Sequence, residues 1–283
     1  AFANVTCNGA NNGTISITLP TGGYGTYQYS IDGGTNWQSS GTFTGLSNAV
    51  YDVKIRDSAY TNCAISLNGA VQITQPAVLS ANVNSTNVTC NGADDATISI
   101  SSPAGGYGTY QYSIDAGTNW QASGTFTGLA NGTYNVQIRD AAYTTCIIIL
   151  DSTLAISEPT VLSASITSTN VTCNGANDGT ISITASAGGY GTYEYSINGG
   201  STWQSSGAYS NVANGTYNVQ MRDAAHTACI VTLNGTLMIT QPTVLSANIN
   251  ATNVTCNGAN DGSISITSPA GGYGTYQYSI NGG

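Results

Sequence analysis

The stretch Leu129-Ala130-Asn131-Gly132-Thr133-Tyr134-Asn135-Val136-Gln137-Ile138-Arg139 decides how this chain folds. Asn131-Gly132 is a tight-turn signal, because both residues tolerate the backbone conformations that sharp reversals need. After it, Tyr134, Val136 and Ile138 alternate with Asn135, Gln137 and Arg139. A period of two puts the apolar side chains on one face and the polar ones on the other, as in a half-buried strand. A tyrosine just past a turn, at the head of a long strand, predicts a corner in which its hydroxyl bonds back to the chain a few residues upstream.

The neighbouring segments read the same way. Leu79 to Cys90 reads as a first strand, Asn91-Gly92-Ala93-Asp94-Asp95 as a turn and Thr97-Ile98-Ser99-Ile100 as a second strand, broken by Pro103 and Gly105-Gly106. Tyr110, Tyr112 and Ile114 share one face of a third. Phe126 to Leu129 makes a short strand, and Cys146 to Ile156 a last one, closed by Glu158-Pro159. No segment has a helical period. About seven short strands at this spacing, with the tyrosine corner, predict an immunoglobulin-like β-sandwich. The cysteine that such a domain places two residues after the corner is missing; Val53, Val136 and Val219 stand there.

The pattern repeats every 83 residues without slippage. Asn4-Val5-Thr6-Cys7-Asn8-Gly9-Ala10 returns at Asn87, Asn170 and Asn253. Trp37 returns at Trp120 and Trp203, the corner tyrosine at Tyr51 and Tyr217, Cys63 at Cys146 and Cys229, and Pro76 at Pro159 and Pro242. A tandem array of all-β sandwiches follows, with units expected at 1–77, 78–160, 161–243 and 244–283. The first unit begins in mid-pattern and the last stops short of its tryptophan, so the chain is expected to come from a longer array, with any leader upstream or removed. The register also filters for chemistry. His226, the lone histidine, aligns with Tyr60 and Tyr143, and Lys54 aligns with Gln137 and Gln220. Neither recurs, and no Ser-His-Asp set, carboxylate pair or phosphate loop does, so no enzymatic activity is expected.

Only 6% of the 283 residues are charged and the net charge is −9, with 4 Lys plus Arg against 13 acids. Nucleic acids and anionic membranes need clustered cations that this chain lacks. No apolar run is long enough to span a bilayer.

Seven cysteines, Cys7, Cys63, Cys90, Cys146, Cys173, Cys229 and Cys256, fall two to a full repeat. Regular pairs in small extracellular-type domains read as disulfides. No CxxC spacing or recurrent histidine supports zinc. Spacing leaves three pairings open: Cys90 with Cys146 inside a repeat, Cys63 with Cys90 across a boundary, or Cys7 with Cys146 between neighbours. In a simple sandwich the turn after the first strand and the loop after the sixth lie at opposite ends, which weakens the first pairing.

The set VTCNGANDGTISIT (171–184), GGYGTYEYSINGGSTWQ (188–204) and NGTYNVQMRDAAHTAC (214–229), with the closing ITQP, resembles the SprB-type repeat of Bacteroidota surface proteins. The resemblance implies a secreted, cell-surface location and a filamentous or adhesive role, with neighbouring repeats and other copies in a filament as partners. It carries over no catalytic residue.

Other candidates have two readings each. Asp94, Asp95, Asp178 and Asp261 after the first cysteine, and Asp32 and Asp115 before the tryptophan, suit either calcium, which wants six or more oxygens, or plain turn chemistry. Tyr24, Tyr107, Tyr190 and Tyr273 sit in Gly-rich loops, where they would stack on a surface polysaccharide or pack a core or joint. Arg56-Asp57, Arg139-Asp140 and Arg222-Asp223 read as cross-strand or inter-domain ion pairs. Asn4, Asn87, Asn170 and Asn253 lie in Asn-X-Ser/Thr sequons, and Ser58 and Ser152 in Asp-Ser-Ala and Asp-Ser-Thr triplets. These are glycosylation candidates that would solubilise a charge-poor surface.

Overall fold

The computed structural model describes residues 1–282 and is all-β. Repeat one holds β1 (Phe2–Ala3), β2 (Gly13–Ser16), β3 (Tyr27–Ser30), β4 (Thr42–Leu46), β5 (Ala49–Asp57) and β6 (Ala64–Ile73). Repeat two holds β7 (Ser80–Thr86), β8 (Ala96–Ala104), β9 (Tyr110–Ser113), β10 (Thr125–Leu129), β11 (Gly132–Asp140) and β12 (Ile147–Ile156). Repeat three matches it with β13 (Ser163–Thr169), β14 (Gly179–Ala187), β15 (Tyr193–Ser196), β16 (Ala208–Val212), β17 (Gly215–Asp223) and β18 (Ile230–Ile239). The fourth contributes a hairpin, β19 (Thr243–Thr252) and β20 (Ser263–Gly272).

Each full repeat is two antiparallel three-stranded sheets. In repeat two their orders are β10-β8-β7 and β12-β11-β9. Beyond these six strands, the Asp115–Ser123 turn region adds only isolated bridges, Gln121 to Tyr112 and Asp115 to Asn135. Register explains part of the core: Ile98 faces Phe126, and Ile138 faces Tyr112. Leu79, Val88, Ile98 and Ile100 from one sheet side meet Tyr112, Val136, Ile138 and Ile156 from the other in one buried cluster. Repeats one and three bury matching sets around Val5, Ile15, Val53 and Ile73, and around Val171, Ile181, Val219 and Ile239.

The structure corrects two strand limits: the first strand of repeat two ends at Thr86 and not at Cys90, giving way to the cysteine turn. Pro103 does not end β8, which continues to Ala104. Ser102 has a positive φ of 51°, and the β7–β8 register shifts between Ser80 and Asn82. This bulge takes up the irregularity near the proline, whose missing N–H falls at a strand end. The predicted corner forms: Tyr134 Oη donates to Ala130 O at 2.9 Å, Tyr51 Oη to Ser47 O at 3.1 Å and Tyr217 Oη to Ala213 O at 2.9 Å.

The β19–β20 hairpin shows what the second sheet contributes. Leu245, Val254 and Ile264 are 67%, 54% and 58% exposed, whereas their repeat-two counterparts Leu79, Val88 and Ile98 are 6%, 0% and 0%. Among the described residues no opposing sheet covers them. The chain divides into two compact units: residues 1–88 with 94–157, and residues 89–93 with 158–283.

Candidate functional site: the clasped joint

In the first unit, the turn after β1 approaches the loop before β12. Cys7 and Cys146 form a disulfide with 5.4 Å between Cα atoms. In the second unit, Cys90 pairs with Cys229 at 5.3 Å. Both distances lie in the usual range for disulfides. Each bond joins the first cysteine of one repeat to the second cysteine of the next, across 139 residues of sequence. This is the third of the pairings the spacing left open. Each loop so closed removes about 5 kcal/mol of unfolded-state entropy in a chain-entropy treatment. Cys63, Cys173 and Cys256 are free and exposed.

The first cysteine is presented by a turn that the chain ties down far along its length. Asn8 Nδ2 donates to Pro76 O at 3.0 Å, and Gly9 N donates to Gln75 Oε1 at 2.8 Å. Asn91 with Pro159, Gly92 with Glu158, Asn174 with Pro242 and Gly175 with Gln241 repeat the arrangement. The Gln-Pro and Glu-Pro pairs close each repeat in the sequence. Their side chains also hold the cysteine turn, and the legible signal was their fixed distance from Asn-Gly. Asn4 Oδ1, Asn87 Oδ1 and Asn170 Oδ1 accept from Thr74 N, Ser157 N and Thr240 N. Three of the four in-register sequon asparagines thus cap the last strand through their oxygens. Asn253 is exposed in the fourth repeat. Ser152 lies exposed on β12, and Ser58 Oγ donates to Thr26 Oγ1 at 2.8 Å.

A Gly-rich loop completes the joint. Gly105 has φ 82°, and a Cβ there would lie 2.1 Å from Val78 O. Gly106 has φ 58°, and its Cβ would meet Asp140 Oδ2 at 2.5 Å. Only glycine lets the loop close down on the linker and on that carboxylate. Tyr107 Oη then donates to Val5 O of the preceding repeat at 3.2 Å, and its ring lies 4.7 Å from that of Tyr143. Tyr273 Oη makes the matching bond to Val171 O at 3.0 Å. Tyr24 stacks on Tyr60 at 4.6 Å and Tyr190 on His226 at 4.3 Å. Beside the Cys7–Cys146 bond lies a groove of about 200 Å³ lined by Asn8, Pro76, Val78, Leu79 and Ile148.

The aspartates of the Arg-Asp pairs do something other than ion pairing. Asp140 is fully buried and accepts from Tyr107 N at 2.5 Å, Ala142 N at 2.8 Å and Tyr143 N at 3.2 Å. Asp57 anchors Tyr24 N and Ala59 N, and Asp223 anchors Tyr190 N, Ala225 N and His226 N. For Asp223, burial opposes ionisation, but these backbone donors outweigh it and keep its carboxyl below the usual range. Arg56, Arg139 and Arg222 instead stack over Trp37, Trp120 and Trp203 at 4.3, 4.3 and 4.4 Å. Their Nε atoms donate to Gln28, Gln111 and Glu194. Of these three partners only Glu194 is charged, and Arg222 Nη2 forms a salt bridge with its Oε2 at 2.6 Å.

In the turns at Asp32, Asp115 and Asp178 the carboxylates are occupied by nearby backbone and side-chain donors. Asp32 accepts from Asn36 N at 2.9 Å through Oδ1 and from Asn36 Nδ2 at 2.6 Å through Oδ2. The Asn36 backbone N–H, against the opposing cost of burial, and with help from Ser30, holds its carboxyl at about 2. Asp115 repeats the pattern. Asp178 accepts from both Thr172 N and Thr172 Oγ1. Among the described residues no three His, Cys, Asp or Glu side chains gather as a metal site.

The family model described as "SprB repeat" matches residues 1–36, 82–119, 165–202 and 248–283. The chain belongs to the SprB repeat family. Each match takes in the first cysteine, the turn after it and the Gly-rich loop, and the first three also take in the third strand. The tryptophan and the second cysteine lie outside the matched residues, so the clasp joins a matched segment to an unmatched one. The SprB repeat is a structural repeat, and it suggests an adhesin-like region of a cell-surface or extracellular protein. No curated protein matches the chain. Among the described residues no helix is long and apolar enough to cross a membrane.

Proposed function

We propose that this chain is a stretch of an extracellular filament or fibrillar surface adhesin, in which sandwich repeats at 78–160 and 161–243 act as rigid beads. The observation that carries this reading is the disulfide from each repeat to the next, seen twice in the same register. Disulfides persist in oxidising, extracytoplasmic surroundings. A bond between repeats rather than within them restrains the joint, which matters where many repeats must hold a common direction. The partners in this reading are neighbouring repeats and further copies of the chain, with weak contacts summed along the array.

The experiment is antibody labelling of intact producing cells, followed by electron microscopy of the labelled structures. Labelled filaments or fibrils projecting from unbroken cells are expected. Labelling that appears only after lysis overturns the reading.

A further inference from the structure

We infer that the clasps turn the array into two separate covalent strings that bypass the bulk of every repeat, so that pulling on the array can unfold repeats while adding little length. The inference deepens the reading of the chain as an extracellular structural array.

The connectivity carries it. From Cys63 to Cys90 the chain runs through β6, the Gln75-Pro76 joint and β7, roughly 27 residues that stretch to no more than about 95 Å. Cys146 to Cys173 repeats this run through β12 and β13, and Cys229 to Cys256 through β18 and β19. The Cys90–Cys229 bond splices the first of these runs to the third. The Cys7–Cys146 bond splices the residues before Cys7 to the second. Each string therefore consists of last strand, joint, first strand, disulfide, and then the last strand of a repeat further on.

Everything between the first and second cysteine of a repeat is off the strings. In repeat two that segment holds β8 to β11, and with them most of the core. It is a side loop bridging one string to the other. The strings themselves have little slack, because β6 and β7 already place 10 and 7 residues in extended conformation. A within-repeat pairing would have hidden the same segments but left a single string, with each joint carried by the peptide linker alone.

Single-molecule force spectroscopy tests this on the full chain, with clickable handles at the exposed residues Thr61 and Asn257. Fully reduced, the span between handles should stretch to about 700 Å. Oxidised, the path runs from Thr61 to Cys90, across the disulfide, and from Cys229 to Asn257, and should stop at about 200 Å. The Cys90→Ser chain should lengthen the oxidised span to about 580 Å, because only the Cys7 route then shortens it. An oxidised limit near 290 Å, the value for within-repeat pairs, overturns the inference. So does an oxidised span equal to the reduced one. Because reduction is applied to the wild-type chain, the test survives misfolding of the variant. A 200 Å limit in a chain found only inside cells leaves the strings standing and sinks the surface reading; a long oxidised span in a chain found on the surface does the reverse.

Discussion

Replacing Asp140 by asparagine should release the Gly-rich loop from the joint. In the native chain Asp140 is fully buried, and its Oδ1 serves Ala142 N and Tyr143 N while Oδ2 serves Tyr107 N. Asparagine keeps one acceptor but turns an N–H₂ group toward the second contact. If the retained oxygen stays on Ala142, the Tyr107 N–H loses a charge-assisted bond and faces a donor. Loss of such a bond, with a buried donor left unmet, costs about 2–4 kcal/mol. At ~1.4 kcal/mol per tenfold, the Tyr107 amide should exchange with solvent roughly 30- to 1,000-fold faster, provided it opens locally. Hydrogen–deuterium exchange resolved by NMR reads this amide directly. Amides of β11 that do not touch the carboxylate, such as Val136, serve as the internal reference. The loop's release should also weaken the Tyr107 Oη bond to Val5 O, which the Tyr107 side-chain resonances report. If Tyr107 exchanges at the wild-type rate in the folded variant, the carboxylate does not hold the loop and the account of the joint fails.

Three further outcomes follow from the same geometry. Tyr134→Phe removes the corner bond to Ala130 O and should destabilise by about 1 kcal/mol, read as a lower urea midpoint with an unchanged slope; an unchanged midpoint makes the corner decorative. Asp32 titrates at about 2, below its ordinary value of 3.8, so its contribution is intact above pH 4 and is lost as pH falls from about 4 to 2; carboxyl carbon shifts should give that low midpoint, and one at 3.8 or above removes the Asn36 bonds from the explanation. Arg139→Lys replaces a planar guanidinium over Trp120 by an ammonium and should cost about 0.5–1 kcal/mol together with a change in tryptophan fluorescence, whereas an unaltered spectrum would mean the stack is not kept in solution.

The fold was largely legible because its determinants are local and recur. Alternation in Tyr134-Asn135-Val136-Gln137-Ile138 sets which face of β11 is buried, and the Asn131-Gly132 turn sets where the strand starts. Neither depends on distant residues. The six strands read from the sequence all form, and the region around Gln121 adds isolated bridges rather than a ladder. The ion pairing expected of the Arg-Asp pairs holds in part: Arg222 makes a cross-strand salt bridge to Glu194, while the aspartates bind backbone N–H groups instead. Adjacent residues in a strand point to opposite sides, so Arg139 and Asp140 had to find different partners. Which partners they find depends on the Trp120 turn and the Tyr107 loop, brought in from about twenty to thirty residues away.

The candidate site was legible only in part. The sequence by itself determined the all-β repeat, its 83-residue period, the positions of the cysteines and the absence of recurrent catalytic groups, because each is a matter of residue type and spacing along one line. The tertiary structure decided which cysteine meets which, that Gln75 and Glu158 hold the cysteine turns, and that Tyr107 reaches back to the preceding repeat. Those facts depend on which ends of which strands lie together. The two cysteines of one repeat are presented at different joints, and each meets a cysteine of a neighbouring repeat instead. Spacing measures distance along the chain, and a disulfide forms only where distance through space is short.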